Sequence, residues 1–180
     1  QIKDGRFEID FDDFEEKIIK ENVKVFLFCS PHNPVARVWE KEELEKIAEI
    51  CLKHNVYIIS DEIHSDFIFE GSKHTPISTL SEEVKMKTVT CIAPSKTFNI
   101  AGLQASNIVI ADEAIRERVL KERTATCYHH LNIMSIEAVK AAYKDSEEWL
   151  EGMLKYLKRN AEILREAFPE DLQGMYDAAE

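Results

Sequence analysis

Four short, almost wholly apolar runs, each stopped by polar or turn-forming residues, constrain this chain more than any other feature. They are 23–29 (VKVFLFC), 56–60 (VYIIS), 88–93 (TVTCIA) and 106–111 (SNIVIA). Strands this short and this continuously apolar are buried on both faces, the pattern of a parallel sheet. Between and after them, apolar residues recur at helical spacing. Phe11, Phe14, Ile18 and Ile19 predict a helix over 10–21, and Leu44, Ile47, Ala48 and Cys51 predict another over 40–54. Three more are predicted at 112–123, 132–144 and 146–168. The expected fold class is therefore α/β, a mainly parallel sheet with helices on both faces. After Phe168 the apolar period is lost, so 169–180 reads as a ragged end.

Composition narrows the partners. The chain has 180 residues, with 23 Lys and Arg against 34 Asp and Glu, a net charge of −11. That balance speaks against nucleic acid and against an anionic membrane surface, both of which need clustered cations. No apolar run reaches the roughly 18 residues that span a bilayer. The four cysteines (Cys29, Cys51, Cys91, Cys127) are widely spaced, which predicts free thiols and a reducing, cytoplasmic setting. Only five glycines are present, so no Gly-rich phosphate loop can be written, and neither a dinucleotide fold nor a P-loop is expected.

In an open parallel sheet, ligands bind at the carboxyl ends of the strands. The first apolar run ends at His32-Asn33-Pro34, the second at Asp61-Glu62-Ile63-His64 and the third at Ser95-Lys96-Thr97-Phe98. If those strands are neighbours, Asn33, Asp61 and Lys96 share one crevice. A lysine buried at such a strand end sheds its proton more readily and can attack a carbonyl. Residue chemistry alone leaves two readings open: a structural Asp–Lys ion pair, or a carboxylate and an amine flanking a pyridine aldehyde.

The motifs around these residues sharpen the choice. Pro31-His32-Asn33-Pro34-Val35-Ala36-Arg37 resembles the Asn-Pro-x-Gly motif of fold-type I aminotransferases. Ser60-Asp61-Glu62-Ile63-His64-Ser65-Asp66 resembles their cofactor-aspartate motif. Ala93-Pro94-Ser95-Lys96-Thr97-Phe98-Asn99 resembles their Schiff-base lysine motif, and the order and spacing of all three match. The His64 version is most similar to the MalY/PatB-type cystathionine β-lyase group, which cleaves carbon–sulfur bonds by β-elimination. The resemblance implies pyridoxal 5′-phosphate as cofactor and Lys96 as the catalytic Schiff-base lysine. It also implies Asp61 on the pyridinium nitrogen, Asn33 and His64 on the phenolic oxygen, and Ser95 on the phosphate. It implies an amino-acid substrate and a homodimer, with transamination, or a catalytically silent α/β fragment, as the alternatives. Residues 1–168 would be the central part of the cofactor-binding large domain. The N-terminal segment and the small C-terminal domain of the family would then lie outside this sequence.

Two positions depart from the pattern. Ala36 stands where the motif has glycine, and Gln104 where many aminotransferases place a phosphate-binding arginine. Arg37 is expected at the surface or in an interface, His54, His74, His129 and His130 are expected in water, and Phe98 is expected to pack in the core. No metal site is expected.

Overall fold

A computed structural model describes residues 2–3, 6–128 and 130–167. The ragged end expected at 169–180, and His129, lie outside the described residues. Two short strands, β1 (Ile2–Lys3) and β2 (Arg6–Phe7), pair antiparallel ahead of the helix α1 (Phe11–Lys20). Asp10 caps that helix, its carboxylate accepting the Asp13 N–H at 3.1 Å. There follow β3 (Val25–Cys29), α2 (Lys41–Lys53), β4 (Tyr57–Asp61), α3 (Glu82–Met86), β5 (Thr88–Ile92) and β6 (Asn107–Ile110). The chain then runs through α4 (Glu113–Ala125), α5 (Ile133–Asp145) and α6 (Glu147–Ala167). The predicted strands and long helices are all present within about two residues, the usual scatter of element ends.

The main sheet has the order β3-β4-β5-β6, with the first three strands parallel and β6 antiparallel at the edge. It is thus mixed and mostly parallel. Sequential strands are neighbours, which settles the condition on which the convergence of strand ends depended. Because side chains alternate across a strand, Phe26, Phe28, Ile58, Ser60, Thr88 and Thr90 share one face, in register from strand to strand. Phe28, Ile58, Leu44, Ile47, Cys51, Val56, Ile77 and Val84 form the core there, each less than a tenth exposed. Phe14 of α1 reaches it through Phe26, with ring centroids 4.8 Å apart. The burial expected on both faces holds for one only: on the opposite face Val25, Leu27 and Ile108 are exposed, Leu27 by 71%.

All four cysteines are free thiols. Cys51 is the most deeply buried, and loss of water pushes its thiol up to about 12. Burial also raises Cys29 and Cys91, which flank Asp61 in register.

Arg37 corrects the expectation of a surface side chain: it is 1% exposed. Its Nε donates to Phe7 O at 2.9 Å, Nη1 to Val38 O at 3.2 Å and Nη2 to Glu43 Oε1 at 2.6 Å. The guanidinium also lies over the Trp39 ring, 4.6 Å from its centre. Glu43 in turn accepts the Glu40 N–H at 2.8 Å, so one carboxylate caps α2 and holds Arg37. A planar guanidinium satisfies carbonyls and a carboxylate together, which is why a charged residue is tolerated here. Replacing Arg37 by Ala should cost about 3 kcal/mol, since it leaves buried acceptors unpaired. Urea denaturation of the full-length protein should show that loss, and a change below about 1 kcal/mol would contradict the anchoring role.

Candidate active site at the carboxyl ends of the parallel strands

Asp61 is the last residue of the central strand β4, level with Cys29 on β3 and Cys91 on β5. Its carboxylate accepts the Ile63 N–H at 3.2 Å, a local turn that orients the side chain. The backbone ladder continues past the strand end on both sides. Ser30 N–H donates to Asp61 O at 3.0 Å, and Glu62 N–H donates to Cys91 O at 2.9 Å. The three segments that follow β3, β4 and β5 therefore start from one level of the sheet.

The segment after β3 is a closed loop. His32 and Arg37 form an antiparallel bridge, with the His32 N–H donating to Arg37 O at 2.7 Å. Asn33-Pro34-Val35-Ala36 is the turn between them, so the buried Arg37 is the fixed post on which Asn33 is mounted. Ala36 has φ +52°. The left-handed conformation is present although glycine is not, and Cβ pays for it.

The turn after β4 carries His64, and the turn after β5 carries Ser95 and Lys96. One hydrogen bond ties the two turns: Thr97 Oγ1 donates to Asp66 Oδ2 at 2.7 Å. Thr97 is 1% exposed, so this link is sheltered from water. Phe98 packs on Tyr143 of α5 and Trp149 of α6, with centroids 6.2 and 5.7 Å apart. Its expected packing role is met by helices distant in sequence.

A cavity of about 700 Å³ opens beside these loops. Asn33 and His64 line it together, with Pro34, Phe67 and Phe69 as apolar wall and α6 on the far side. His64 Nδ1 is buried without a hydrogen-bond partner. Asp61, Ser95 and Lys96 do not line this cavity. They stand on the adjoining strand ends, so the five predicted residues lie at one edge of the sheet, with two of them lining this cavity and three outside it. Lys96 is exposed. The burial expected of it is not supplied by the described residues, because its turn follows the end of β5. Gln104 is likewise exposed, at φ +52°.

Two features escaped the sequence reading. His74, expected in water, keeps only 10% side-chain exposure and binds the buried Glu62 at 2.9 Å. The Asp66–Thr97 link was also missed, although both residues lie inside the quoted motifs. Neither has a spacing signature, since each joins a turn to a residue remote in sequence. His54 also finds a carboxylate, Glu15 at 2.6 Å, whereas His130 is exposed as expected. Among the described residues no group of three His, Cys, Asp or Glu side chains could hold a metal ion. No helix among them is long and apolar enough to cross a membrane.

The family model of aminotransferase class I and II matches residues 2–177. Cystathionine beta-lyase PatB of Bacillus subtilis (strain 168) is 45% identical over 158 residues, covering 88% of this chain and 41% of the relative. The crystal structure of cystalysin from Treponema denticola, containing pyridoxal 5′-phosphate, superposes with a TM-score of 0.89 at 44% identity, covering 92% of this chain and 42% of that one. A pyridoxal-phosphate-bound C–S lyase from Staphylococcus hominis gives a TM-score of 0.87 at 37% identity, over 96% of this chain and 43% of that one. The chain spans about two fifths of the length of these relatives.

Ala36 yields a prediction with a definite sign. A left-handed non-glycine residue costs about 1–2 kcal/mol, and the greater freedom of glycine in the unfolded chain returns about 0.4–1 kcal/mol of that. Ala36→Gly should therefore stabilise the full-length protein by about 0.5–1 kcal/mol in urea denaturation. A destabilisation of the same size would show that the +52° backbone carries no strain.

Proposed function

The chain belongs to the aminotransferase class I and II family, and from that premise we propose that it carries the cofactor-holding part of a pyridoxal-phosphate-dependent C–S lyase. The observation that carries the reading is the alignment of three loop origins, after Cys29, Asp61 and Ile92, at the ends of three adjacent parallel strands. The similarity to cystathionine beta-lyase PatB and to C–S lyases supports the lyase outcome over transamination.

The residues present fit the cofactor. Asp61 offers a carboxylate oriented by the Ile63 amide, suited to keep a proton on the ring nitrogen. His64 has a buried ring nitrogen without a partner, beside Asn33 in the same cavity, and the two suit the phenolic oxygen. The Ser95 hydroxyl is assigned to a phosphate oxygen and the Lys96 amine to the covalent attachment. Bound pyridoxal phosphate supplies the electron sink that makes a substrate α-carbon acidic.

The protein's own groups do the rest. Lys96 would hold the cofactor through its side-chain amine, and the same amine is placed to serve as the base for a substrate α-proton. Asp61, its carboxylate oriented by the Ile63 N–H, would keep a proton on the ring nitrogen. Asn33 is presented by the loop anchored on Arg37, and the Thr97–Asp66 bond keeps the Lys96 turn at a fixed distance from the His64 turn. The mixed wall of the cavity, apolar at Phe67 and Phe69, suits a sulfur-bearing side chain. Loss of the β-thiolate followed by hydrolysis then gives pyruvate and ammonia.

Residues 1–168 are read as the central part of a large domain, completed by segments that correspond to the remaining length of the relatives. A homodimer in the cytoplasm is part of the same proposal. The four free thiols support the compartment.

The product distribution tests the reading. Full-length protein incubated with cystathionine and 2-oxoglutarate should release pyruvate and ammonia well in excess of glutamate. Lys96→Ala should lower pyruvate release by about 10²–10⁴-fold, the usual worth of a positioned base. Glutamate without pyruvate would replace the lyase assignment by a transaminase.

A further inference from the structure

Under the sheet end, on the face away from Asp61, lies a buried polar chain with no part in the roles above. The Glu62 N–H continues the ladder to Cys91 O, so Asp61 and Glu62 point to opposite faces. Glu62 is 2% exposed and Ser60 0%. Ser60 Oγ donates to Glu62 Oε1 at 2.8 Å, and His74 Nε2 lies 2.9 Å from Glu62 Oε2. Both carboxylate oxygens are thus held by side chains from two directions.

Taking a carboxylate out of water is costly even when it is paired, and well-packed apolar residues often stabilise as much or more. Stability alone does not account for the pair. Its position does more. The amide that orients the Asp61 carboxylate is that of Ile63, so Glu62 is the one residue between the carboxylate and its backbone donor. Any rotation of the chain at Glu62 swings the Ile63 N–H away from Asp61. His74 supplies the fixed point from the far end of the loop, just before Ile77, which is 1% exposed in the core. The loop between them carries Phe67, Phe69, Glu70, Gly71 and Ser72 into the cavity wall.

We propose that Glu62 and His74 are positioning residues for Asp61, locking the strand end from beneath so that the Asp61 carboxylate keeps one direction. The proposal rests on the reading of Asp61 as the partner of the cofactor's ring nitrogen.

A double-mutant cycle on the full-length protein tests it, with pyridoxal phosphate affinity measured by fluorescence titration after cofactor removal. Glu62→Ala should weaken binding about tenfold when Asp61 is present, and by less than about twofold in the Asp61→Asn background. Glu62→Gln keeps an acceptor for Ser60 and a partner for His74, and should restore affinity to within about threefold of the unmodified protein. Equal weakening in both backgrounds would reduce the pair to a general structural contact and overturn the proposal, as would no weakening at all. Should Glu62→Ala not fold, His74→Gln carries the same cycle with the same criteria. An Asp61→Asn protein that binds pyridoxal phosphate as tightly as the unmodified one would instead overturn the reading of Asp61 itself.

Discussion

Parallel strands deliver all of their outgoing loops to a single edge, and the site depends on that constraint. In β3, β4 and β5 the register is unbroken from Val25–Tyr57 to Cys29–Asp61 and on to Cys91. A slip of one residue in β4 would turn Asp61 to the core face and Ser60 outward. Register is held by the covered face, where Phe26 and Phe28 must meet Ile58 and Ser60 above α1 and α2. The apolar core and the polar edge are thus two consequences of one alignment, and neither is independent of the other.

What surrounds that edge is a set of staples rather than a single rigid block. Arg37 fixes the Asn33 loop to β2 and α2 through Phe7 O and Glu43. Thr97 and Asp66 tie the lysine turn to the histidine turn. Ser135 of α5 donates to Leu103 O at 2.6 Å and brings the later helices against the segment that follows Lys96. Each staple pairs a buried polar atom with a backbone or carboxylate oxygen, where an unmade bond would be costly.

Much of this was legible in the sequence. The four apolar runs and the helical periods marked every strand of the main sheet and every long helix, because hydrophobic periodicity is set by burial and burial by those elements. Asn33, Asp61, His64, Ser95 and Lys96 were visible as polar stops on apolar strands, and the motifs they sit in matched a family. Arg37 and His74 were misread for a common reason: a charged or titratable residue in a loop is solvated by default, and only the partner's location reverses that. Glu43 and Glu62, the two partners, gave no local sign of facing inward. The short α3 and the β1–β2 pair were missed because two to five residues carry no period. At Lys96 the apolar strand before it implies burial, whereas among the described residues its side chain is exposed.

The central claim, that Lys96 is the residue to which pyridoxal phosphate is bound, is tested most directly by reduction and mapping. The full-length protein is loaded with the cofactor, treated with borohydride and digested, and the modified peptide is sequenced by mass spectrometry. A single stable pyridoxyl adduct is expected on the peptide containing Ser95-Lys96-Thr97, and none in a Lys96→Ala protein. An adduct on another lysine, or a cofactor absorbance band that survives Lys96→Ala unchanged, would contradict it.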